Sequence, residues 1–494
     1  MADRAANGTQ ALLAACRAGD VSRVSKLHQG GVTVQPWDFA FAIEAAKNGH
    51  ADVLDYLAGA GLRLDGIEAE LVAAAPEEFR SRVAEVMAKD QARLSELNKL
   101  VAQLLQAVRD ENKDEVKQLH ERGAQPGSIS AASRADLHAM RMEMAVAAPI
   151  YRPSKFWDFF NDSNMRFLAW GGEANFKRTL NQNYFNFIPE RGDDPKVAQL
   201  DALERSLGGV PHGDYALDDP DFDPALWWSW YESYLLFKGD RPARLALYKR
   251  FVACLYEYAL RHDPLRLLED HEEPALGNPI GLRRRGKLVS QDLASSAVEL
   301  NFMAGVVDFG QTKWIAELGA GYGRVGALLA DRYPIRYAIF DIPPALHVSQ
   351  WYLSNLFPTR QVFRFRHFDA YEEIAHELAG AQLAFFTPNQ LELLPDRFFE
   401  ASLTISSLHE MRLEQVTHYL QLLARKTRHA MYLKQQWQYV NPHDGITVRE
   451  SDYAAPRGWR TTLERTDPLN PEFFERVMLR QETLLGRLAR WLRG

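Results

Sequence analysis

The residues with the clearest potential for chemistry follow a short apolar run in the last third of the chain. Residues 314–318 have the pattern of a short buried strand, and the run includes an acidic residue, Glu317. Directly after it, every second residue is a glycine, at Gly319, Gly321 and Gly323. Glycines at this spacing let the backbone approach a ligand closely and adopt positive φ. A helix predicted from about Arg324 would add free N–H groups for an anionic group. The turn is therefore predicted to bind a cofactor.

Two cofactors fit this turn. Gly321, Gly323 and Gly326 satisfy G-x-G-x-x-G, the fingerprint of dinucleotide binding. The longer frame, Glu317 followed by the alternating glycines, resembles motif I of class I S-adenosylmethionine (SAM) methyltransferases. A second predicted strand ends in Asp341, whose carboxylate can accept hydrogen bonds from both ribose hydroxyls of either cofactor. Glu317 and the segments that follow favour SAM.

The later segments predict further strands of an α/β sheet. The predicted strands lie within 382–395, 401–411 and 428–438, and an antiparallel hairpin at 459–465 and 473–481 closes the sheet. Ligands of open α/β sheets bind outside the carboxyl ends of the strands, so Ser407, His409 and Glu410 are predicted to lie beside the ligand. His409 is the predicted base for an acceptor hydroxyl, because a neutral imidazole is available near pH 7. Glu410 either orients His409 or is itself the base.

Five segments in one order resemble the bacterial sugar O-methyltransferase family over roughly residues 150–480: SQDLASSAVEL, ELGAGYGRVG, FDIPPAL with SQWYLS, LHEM and YLKQQW. The resemblance implies a class I, Rossmann-like C-terminal domain, SAM as cofactor, and methyl transfer to a hydroxyl of a sugar or sugar-bearing small molecule. The residues predicted to bind the cofactor are Glu317, Gly319, Gly321, Gly323, Asp341, Asn389, Ser407 and Gln291. Gln291 is predicted to contact either the cofactor or the acceptor. The competing explanation for the polar residues 290–292 is that Ser290 or Asp292 caps the N-terminus of the helix that follows.

The middle of the chain, 127–288, is predicted to be an all-α, aromatic-rich region that carries or covers the substrate. Tyr184 and Asn186, together with Lys434 at the end of the last predicted parallel strand, are the predicted acceptor contacts. The aromatic rings of this region either stack on a sugar or pack a core. The cationic run at 281–288 either binds a phosphorylated or carboxylated acceptor, such as a nucleotide sugar, or forms a solvated turn.

The N-terminal part of the chain repeats one pattern. Residues 14–31 and 45–61 share it, with a spacing of 30 between Gly19 and Gly49, and residues 107–124 carry a third copy. Each copy predicts a short helix, a turn, and a second helix that ends at a glycine. The pattern resembles ankyrin repeats, which bury their apolar faces by stacking on neighbours. An ordinary helical bundle is the alternative. Either would bind a protein partner, self-associate or pack on the rest of the chain.

Composition bounds the remaining possibilities. The chain has 494 residues, of which 46% are hydrophobic and 25% are charged, as in globular proteins. Together with the segments described above, this length predicts three domains, at 1–126, 127–288 and 289–494. A net charge of −7 argues against binding to nucleic acid or to an anionic membrane, and no apolar run is long enough for a membrane span. With two cysteines, Cys16 and Cys254, and no metal-ligand spacing, we expect a cytoplasmic protein without a metal. Two other functions stay open: an N- or protein methyltransferase recruited by the repeats, and a non-catalytic ankyrin-type scaffold.

Overall fold

The structure is a computed structural model that describes residues 2–481, apart from 33, 35–37, 66, 111, 113, 116–117, 120–121, 123–128, 181–194 and 218–240. It divides into two compact units. The N-terminal unit comprises the residues up to Met142 together with Leu168–Gly172, and the sheet unit comprises Glu143–Phe167 and the described residues from Glu173 onward. The predicted three-domain division stays a prediction.

Paired helices dominate the N-terminal unit. Its helices are α1 (Ala2–Ala18), α2 (Val21–Gln29), α3 (Phe39–Lys47), α4 (Ala51–Gly59), α5 (Glu68–Ala74) and α6 (Arg80–Arg109). The turns α1–α2 and α3–α4 both pass through a left-handed glycine, Gly19 at φ 70° and Gly49 at φ 71°. The first two copies of the pattern are therefore helical pairs. The third copy begins in the long helix α6 and continues into residues that are partly outside the described ones, so the ankyrin assignment stays a prediction.

The middle region is mixed rather than all-α, which corrects the prediction. Its described helices are α7 (Ala131–Val146), α8 (Lys155–Gly171), α9 (Phe176–Thr179), α10 (Pro195–Ser206), α11 (Arg241–Arg261) and α12 (Leu267–Asp270). A three-stranded antiparallel sheet joins β1 (Tyr215–Leu217), β2 (Leu282–Arg284) and β3 (Lys287–Leu288). Arg285 and Gly286 both have positive φ and form the two-residue turn of the β2–β3 hairpin. The cationic run thus folds as a hairpin with a charged turn.

The sheet unit contains the large α/β sheet that the sequence predicts. Its strands are β4 (Trp314–Leu318), β5 (Arg336–Phe340), β6 (Val362–Phe363), β7 (Leu383–Phe386), β8 (Phe399–Ile405), β9 (Thr427–Gln436), β12 (Trp459–Thr466) and β13 (Phe473–Arg480), with β10 (Gln438–Val440) and β11 (Thr447–Arg449) as a separate hairpin. The order is β12-β13-β9-β8-β4-β5-β7-β6, parallel from β9 to β6 and antiparallel at β12 and β13. The short edge strand β6 was not predicted.

Six helices alternate with the strands of this sheet along the chain. They are α13 (Gln291–Met303), α14 (Arg324–Arg332), α15 (Ala345–Leu356), α16 (Ala375–Gly380), α17 (Gln390–Leu393) and α18 (Leu413–Lys426). Helix α18 buries residues at helical spacing, namely Val416, Tyr419, Leu420 and Leu423. They share one apolar core with Trp314, Ala316 and Leu318, the alternate residues of β4 that face the same way. Among the described helices, none is long and apolar enough to cross a membrane.

The chain reverses direction across the sheet between β4 and β8. From β4 it continues to β5, then to the edge strand β6 and back to β7, and it then returns to the other side of β4 as β8. A crevice forms outside the carboxyl ends of two neighbouring strands at such a reversal, and ligands of α/β proteins bind there. The residues that follow β4 and β8 therefore meet at the expected ligand position.

Candidate functional site

The glycine turn brings the ends of β4 and β8 into close contact. All three alternating glycines have positive φ, at 72° for Gly319, 60° for Gly321 and 84° for Gly323. A Cβ added at Gly319 would lie 2.1 Å from Ser407 Oγ, which follows β8. A side chain at Gly319 would therefore force Ser407 and the end of β8 away. The close approach of the ends of β4 and β8 therefore requires a glycine at position 319.

Asp341, directly after β5, is held by backbone amides. Its Oδ2 accepts a hydrogen bond of 2.8 Å from the N–H of Gly321, and its Oδ1 accepts one of 2.7 Å from the N–H of Ile342. The side chain is buried at 8% exposure, and burial raises the pKa of Asp341 to about 7. The backbone N–H of Ala320 also acts on this carboxyl, and a carboxylate has about four acceptor sites, so capacity remains for a ligand hydroxyl.

Glu317 is a second buried carboxyl beside the turn. It is 2% exposed, and its Oε2 accepts a hydrogen bond of 2.7 Å from the hydroxyl of Tyr337. Burial raises the pKa of Glu317 to about 8. Arg324, at the start of α14, forms its ion pairs of 2.6 and 3.0 Å with Glu299 instead. The Glu317 carboxyl therefore has a neutral hydrogen-bond partner and no cation bound directly to it among the described residues.

A cavity of about 330 Å³ opens beside the turn, here called the turn cavity. Its lining includes Glu317, Gly319, Gly321, Asp341, Ser407 and Glu410. Of the other predicted cofactor residues, Gly323 is the N-cap of α14 and Gln291 lines a different cavity. Asn389 does not line the turn cavity: its Nδ2 donates a 2.6 Å hydrogen bond to Glu143, and its neighbour Pro388 lies in the lining instead. The predicted motif residues are thus largely brought together.

His409 has a defined proton position. Its Nδ1 lies 3.0 Å from Gln435 Oε1, and the same oxygen accepts the backbone N–H groups of Ser407 and His409 at 3.3 Å each. Backbone N–H groups only donate, so they fix this atom as the amide oxygen, and Nδ1 must carry the proton. The Nε2 lone pair is then left open. His409 is 2% exposed, and burial lowers its pKa to about 4, so the ring is neutral near pH 7.

Glu410 is the neighbouring carboxyl, with 15% of its side chain exposed. Its Oε1 lies 3.8 Å from His409 Nε2, and its Oε2 is buried without a hydrogen-bond partner among the described residues. Burial raises the pKa of Glu410 to about 8. Two residues that the sequence did not suggest hold it: Trp157 hydrogen-bonds the carboxyl, and Ser154 Oγ donates a 2.7 Å hydrogen bond to the Glu410 carbonyl. No local motif marks either residue.

A second cavity of about 750 Å³ lies on the other side of Glu410. Its lining includes Gln291, Asp292, His409, Lys434, Tyr439 and Asp467. The residues that line both this cavity and the turn cavity are Arg324, Ile405, Ser406 and Glu410. Glu410 is therefore the one predicted catalytic residue that borders both spaces. The predicted acceptor residues Tyr184 and Asn186 lie outside the described residues.

The structure shows which residue caps the N-terminus of α13. Ser290 Oγ accepts a hydrogen bond of 3.0 Å from the N–H of Leu293, so Ser290 is the N-cap. Asp292 instead accepts a 3.0 Å hydrogen bond from the hydroxyl of Tyr322, the residue between two glycines of the turn. Burial raises the pKa of Asp292 to about 6. Gln291 is left to line the second cavity.

Lys434 lies in a buried network of ion pairs. Its Nζ lies 2.9 Å from Glu299 Oε1 and 2.7 Å from Asp467 Oδ2, and both acidic side chains are only 1% exposed. Glu299 is shared with Arg324. Two buried carboxylates therefore depend on Lys434 for neutralisation. This explains a lysine at the end of β9 independently of any acceptor.

Lys434→Met is expected to destabilise the protein by about 3–5 kcal/mol, because it leaves Asp467 as an uncompensated buried charge. The matched control is Lys99→Met, which removes an exposed lysine paired with Glu96 and should change stability by no more than about 1 kcal/mol. Urea unfolding followed by tryptophan fluorescence measures both. Equal stability of the Lys434 variant and the wild type would contradict the network.

Within the described part of the chain, no group of three or more His, Cys, Asp or Glu side chains is arranged to hold a metal ion.

Comparisons with known proteins give structural matches only. No protein-family model matches the chain, and no curated protein matches its sequence. The magnesium protoporphyrin IX methyltransferase ChlM from Synechocystis PCC 6803, with bound SAM, is similar over 38% of this chain and 79% of that one, at 13% identity and a TM-score of 0.27. The mitomycin 7-O-methyltransferase MmcR is similar over 80% and 99%, at 13% identity and a TM-score of 0.28.

A third solved structure has another acceptor. The Burkholderia thailandensis 1,6-didemethyltoxoflavin-N1-methyltransferase, with bound 1,6-didemethyltoxoflavin and S-adenosylhomocysteine, is similar over 38% of this chain and 77% of that one. The identity is 15% and the TM-score is 0.27. All three matches are methyltransferases, and two of their structures contain SAM or its demethylated product.

Proposed function

We propose that this chain is a SAM-dependent methyltransferase that methylates a hydroxyl of a sugar or of a sugar-bearing small molecule. The observation that carries the proposal is the set of buried carboxyls around the turn cavity, whose lining also includes Arg324, paired with Glu299, and Arg152, which donates to the carbonyl of Ala147. Three carboxyls line it, on Glu317, Asp341 and Glu410, and burial raises the pKa of each. Buried carboxyls without bound cations favour a ligand that brings positive charge.

SAM fits this cavity better than a dinucleotide does. It carries a sulfonium, an ammonium and one carboxylate, so its net charge is positive, and it has a ribose with two free hydroxyls. Asp341 has acceptor sites left for the ribose, and the Glu317 and Glu410 carboxyls favour the cations. The pyrophosphate of a dinucleotide would bring two negative charges toward the same carboxyls, which is unfavourable. The charge of the cavity thus supports the SAM interpretation of the glycine turn.

In the proposed reaction, a residue of this chain takes up the proton of the acceptor hydroxyl. Bound SAM supplies a methyl carbon that moves to the acceptor oxygen, while the electron pair of the broken C–S bond stays on sulfur. Glu410 borders both cavities, so it is our proposed base for the hydroxyl proton. It becomes ionised when positive charge enters the turn cavity, because that charge lowers its raised pKa. His409 lies beside Glu410, with its Nε2 3.8 Å from Glu410 Oε1 and no hydrogen bond between the two atoms.

A product screen tests the proposed function. Purified protein is incubated with SAM and with separate panels of sugars, small amines and candidate protein partners, and mass spectrometry detects the gain of one CH2 unit. We expect the gain on a sugar hydroxyl, located by fragmentation. A gain on nitrogen or on a protein would transfer the proposal to the N- or protein methyltransferase. Folded protein that binds no SAM would leave only the scaffold function.

The affinity for SAM is expected to rise as the pH increases from about 6 to about 8. At low pH, protons occupy the Glu317 and Glu410 carboxyls, whose pKa values are raised to about 8, and a cation must displace them. Binding therefore releases protons, which titration calorimetry in buffers of different ionisation enthalpy measures directly. Glu317→Gln keeps an acceptor for the Tyr337 hydroxyl and should flatten the profile. A pH-independent affinity in the wild type would contradict the proposed role of the carboxyls.

We also propose a cytoplasmic location, with the N-terminal unit available to a protein partner or for self-association. The two cysteines, Cys16 and Cys254, are both free and buried, and free thiols persist in a reducing compartment. The paired helices α1–α2 and α3–α4 support the partner proposal, because helical pairs of this kind present extended surfaces.

A further inference from the structure

The second cavity carries more negative than positive charge. Five carboxyl side chains of the described residues line it: Asp292, Glu299, Glu410, Asp467 and Glu472. The cationic side chains in the same lining are Arg324 and Lys434. His409 adds no positive charge near pH 7, because burial lowers its pKa to about 4.

The two cations are already engaged with carboxylates of the wall. Arg324 forms two hydrogen bonds to Glu299, at 2.6 and 3.0 Å. Lys434 lies 2.9 Å from Glu299 and 2.7 Å from Asp467. These four side chains therefore neutralise one another. The other three carboxyls of the wall, on Asp292, Glu410 and Glu472, have no lysine or arginine of the described residues at ion-pair distance, although Asp292 accepts the hydrogen bond from Tyr322.

An open acceptor atom in the same wall points independently to a ligand. His409 is 2% exposed and lines the second cavity, and its protonated Nδ1 is bonded to Gln435. Its Nε2 makes no hydrogen bond to a described residue, and Glu410 Oε1 at 3.8 Å is too distant for one. This imidazole nitrogen can accept a hydrogen bond, so the wall favours a ligand that donates one.

We infer that the acceptor carries a protonated amine beside its hydroxyls, as in an amino sugar or an amino polyol. The inference rests on the proposed function and narrows its substrate class. Asp292 and Glu472 bind the ammonium group, and Glu410 faces the hydroxyl. Phosphorylated and carboxylated acceptors, including nucleotide sugars, are rejected, because the cations in the wall are already paired and an anion would meet unpaired carboxylates.

Binding to three matched probes tests this inference. The full chain is saturated with S-adenosylhomocysteine, and titration calorimetry near pH 7 compares glucosamine, glucose and glucose 6-phosphate. We expect glucosamine to bind at least about fivefold more tightly than glucose, since a partly exposed charge pair contributes about 1 kcal/mol. Glucose 6-phosphate should bind more weakly than glucose. Glucosamine binding no tighter than glucose, or glucose 6-phosphate binding as tightly as glucosamine, would overturn the inference.

Variants that remove single charges test whether the preference for glucosamine comes from the carboxyls of the second cavity. Asp292→Asn keeps an acceptor for the Tyr322 hydroxyl, and Glu472 is exposed, so Asp292→Asn and Glu472→Gln should fold and should each reduce the preference for glucosamine. Glu372→Gln removes the same charge from an exposed residue outside both cavities and should leave the preference unchanged. S-adenosylhomocysteine binding, measured first, separates the two proposals. Its absence refutes the proposed function, whereas its presence with the wrong sugar preference refutes only the inference about the amine.

Discussion

Glu410→Gln is expected to lower kcat by about 100- to 10,000-fold, the usual contribution of a general base. The amide is close in size to the carboxyl and keeps a hydrogen-bonding group beside Trp157, but it cannot accept the proton of the acceptor hydroxyl. The affinity for SAM should fall by no more than about tenfold, because Glu317 and Asp341 remain in the turn cavity. Turnover is measured as S-adenosylhomocysteine release with the acceptor found by the product screen, and SAM affinity by calorimetry.

The pH dependence of turnover and a His409 variant show whether Glu410 or His409 is the base. In the wild type, kcat at saturating SAM should rise with pH toward the pKa of Glu410, which burial raises and the bound cation lowers again, and Glu410→Gln should lose this rise. His409→Asn retains a donor for Gln435 and should reduce kcat far less than Glu410→Gln does. Near-normal turnover in Glu410→Gln, together with a large loss in His409→Asn, would return the role of base to His409, the first choice from the sequence.

Gly319→Ala is expected to weaken SAM binding by about 100-fold or more, equivalent to about 2.8 kcal/mol. The new Cβ would lie 2.1 Å from Ser407 Oγ and 2.5 Å from Ser407 Cβ, so the end of β8 must shift. Alanine at φ 72° adds about 1–2 kcal/mol of backbone strain. Both effects move the residues that line the turn cavity. Calorimetry with SAM measures the loss, and circular dichroism shows whether the variant is folded.

Gly286→Ala is the matched control for this substitution. Gly286 also has a positive φ, 88°, but a Cβ there meets no atom within 4 Å. It should lose about 1–2 kcal/mol of stability from the same strain and keep its affinity for SAM. Equal SAM affinities in folded Gly319→Ala and in the wild type would show that the ligand does not use this turn.

The local part of the site was predictable because its residues are consecutive in the sequence. The predicted strand at 314–318, the glycine turn and the helix from Arg324 agree with the structure. Strand, turn and helix signals act over a few residues, so sequence patterns capture them. The closing hairpin of β12 and β13 was predicted from its position after the parallel strands, and its two strands are neighbours in the sequence.

The distant contacts were not predictable in this way. Ser154 and Trp157 reach Glu410 from more than 250 residues away in the chain, and no spacing in the sequence links them. The ion pairs of Lys434 with Glu299 and Asp467 join three separate elements, so the sequence could suggest only an acceptor contact for that lysine. The sheet of β1, β2 and β3 likewise needs a pairing over more than 60 residues. Such contacts depend on how the elements pack.

Titration calorimetry of the wild-type chain with SAM and with NAD⁺ tests the central claim most directly. The carboxyl-lined turn cavity predicts binding of one SAM per chain, with a dissociation constant between about 1 μM and about 1 mM, and no measurable binding of NAD⁺. A folded chain that binds NAD⁺ as tightly as SAM, or that binds neither compound, would contradict the assignment of the glycine turn.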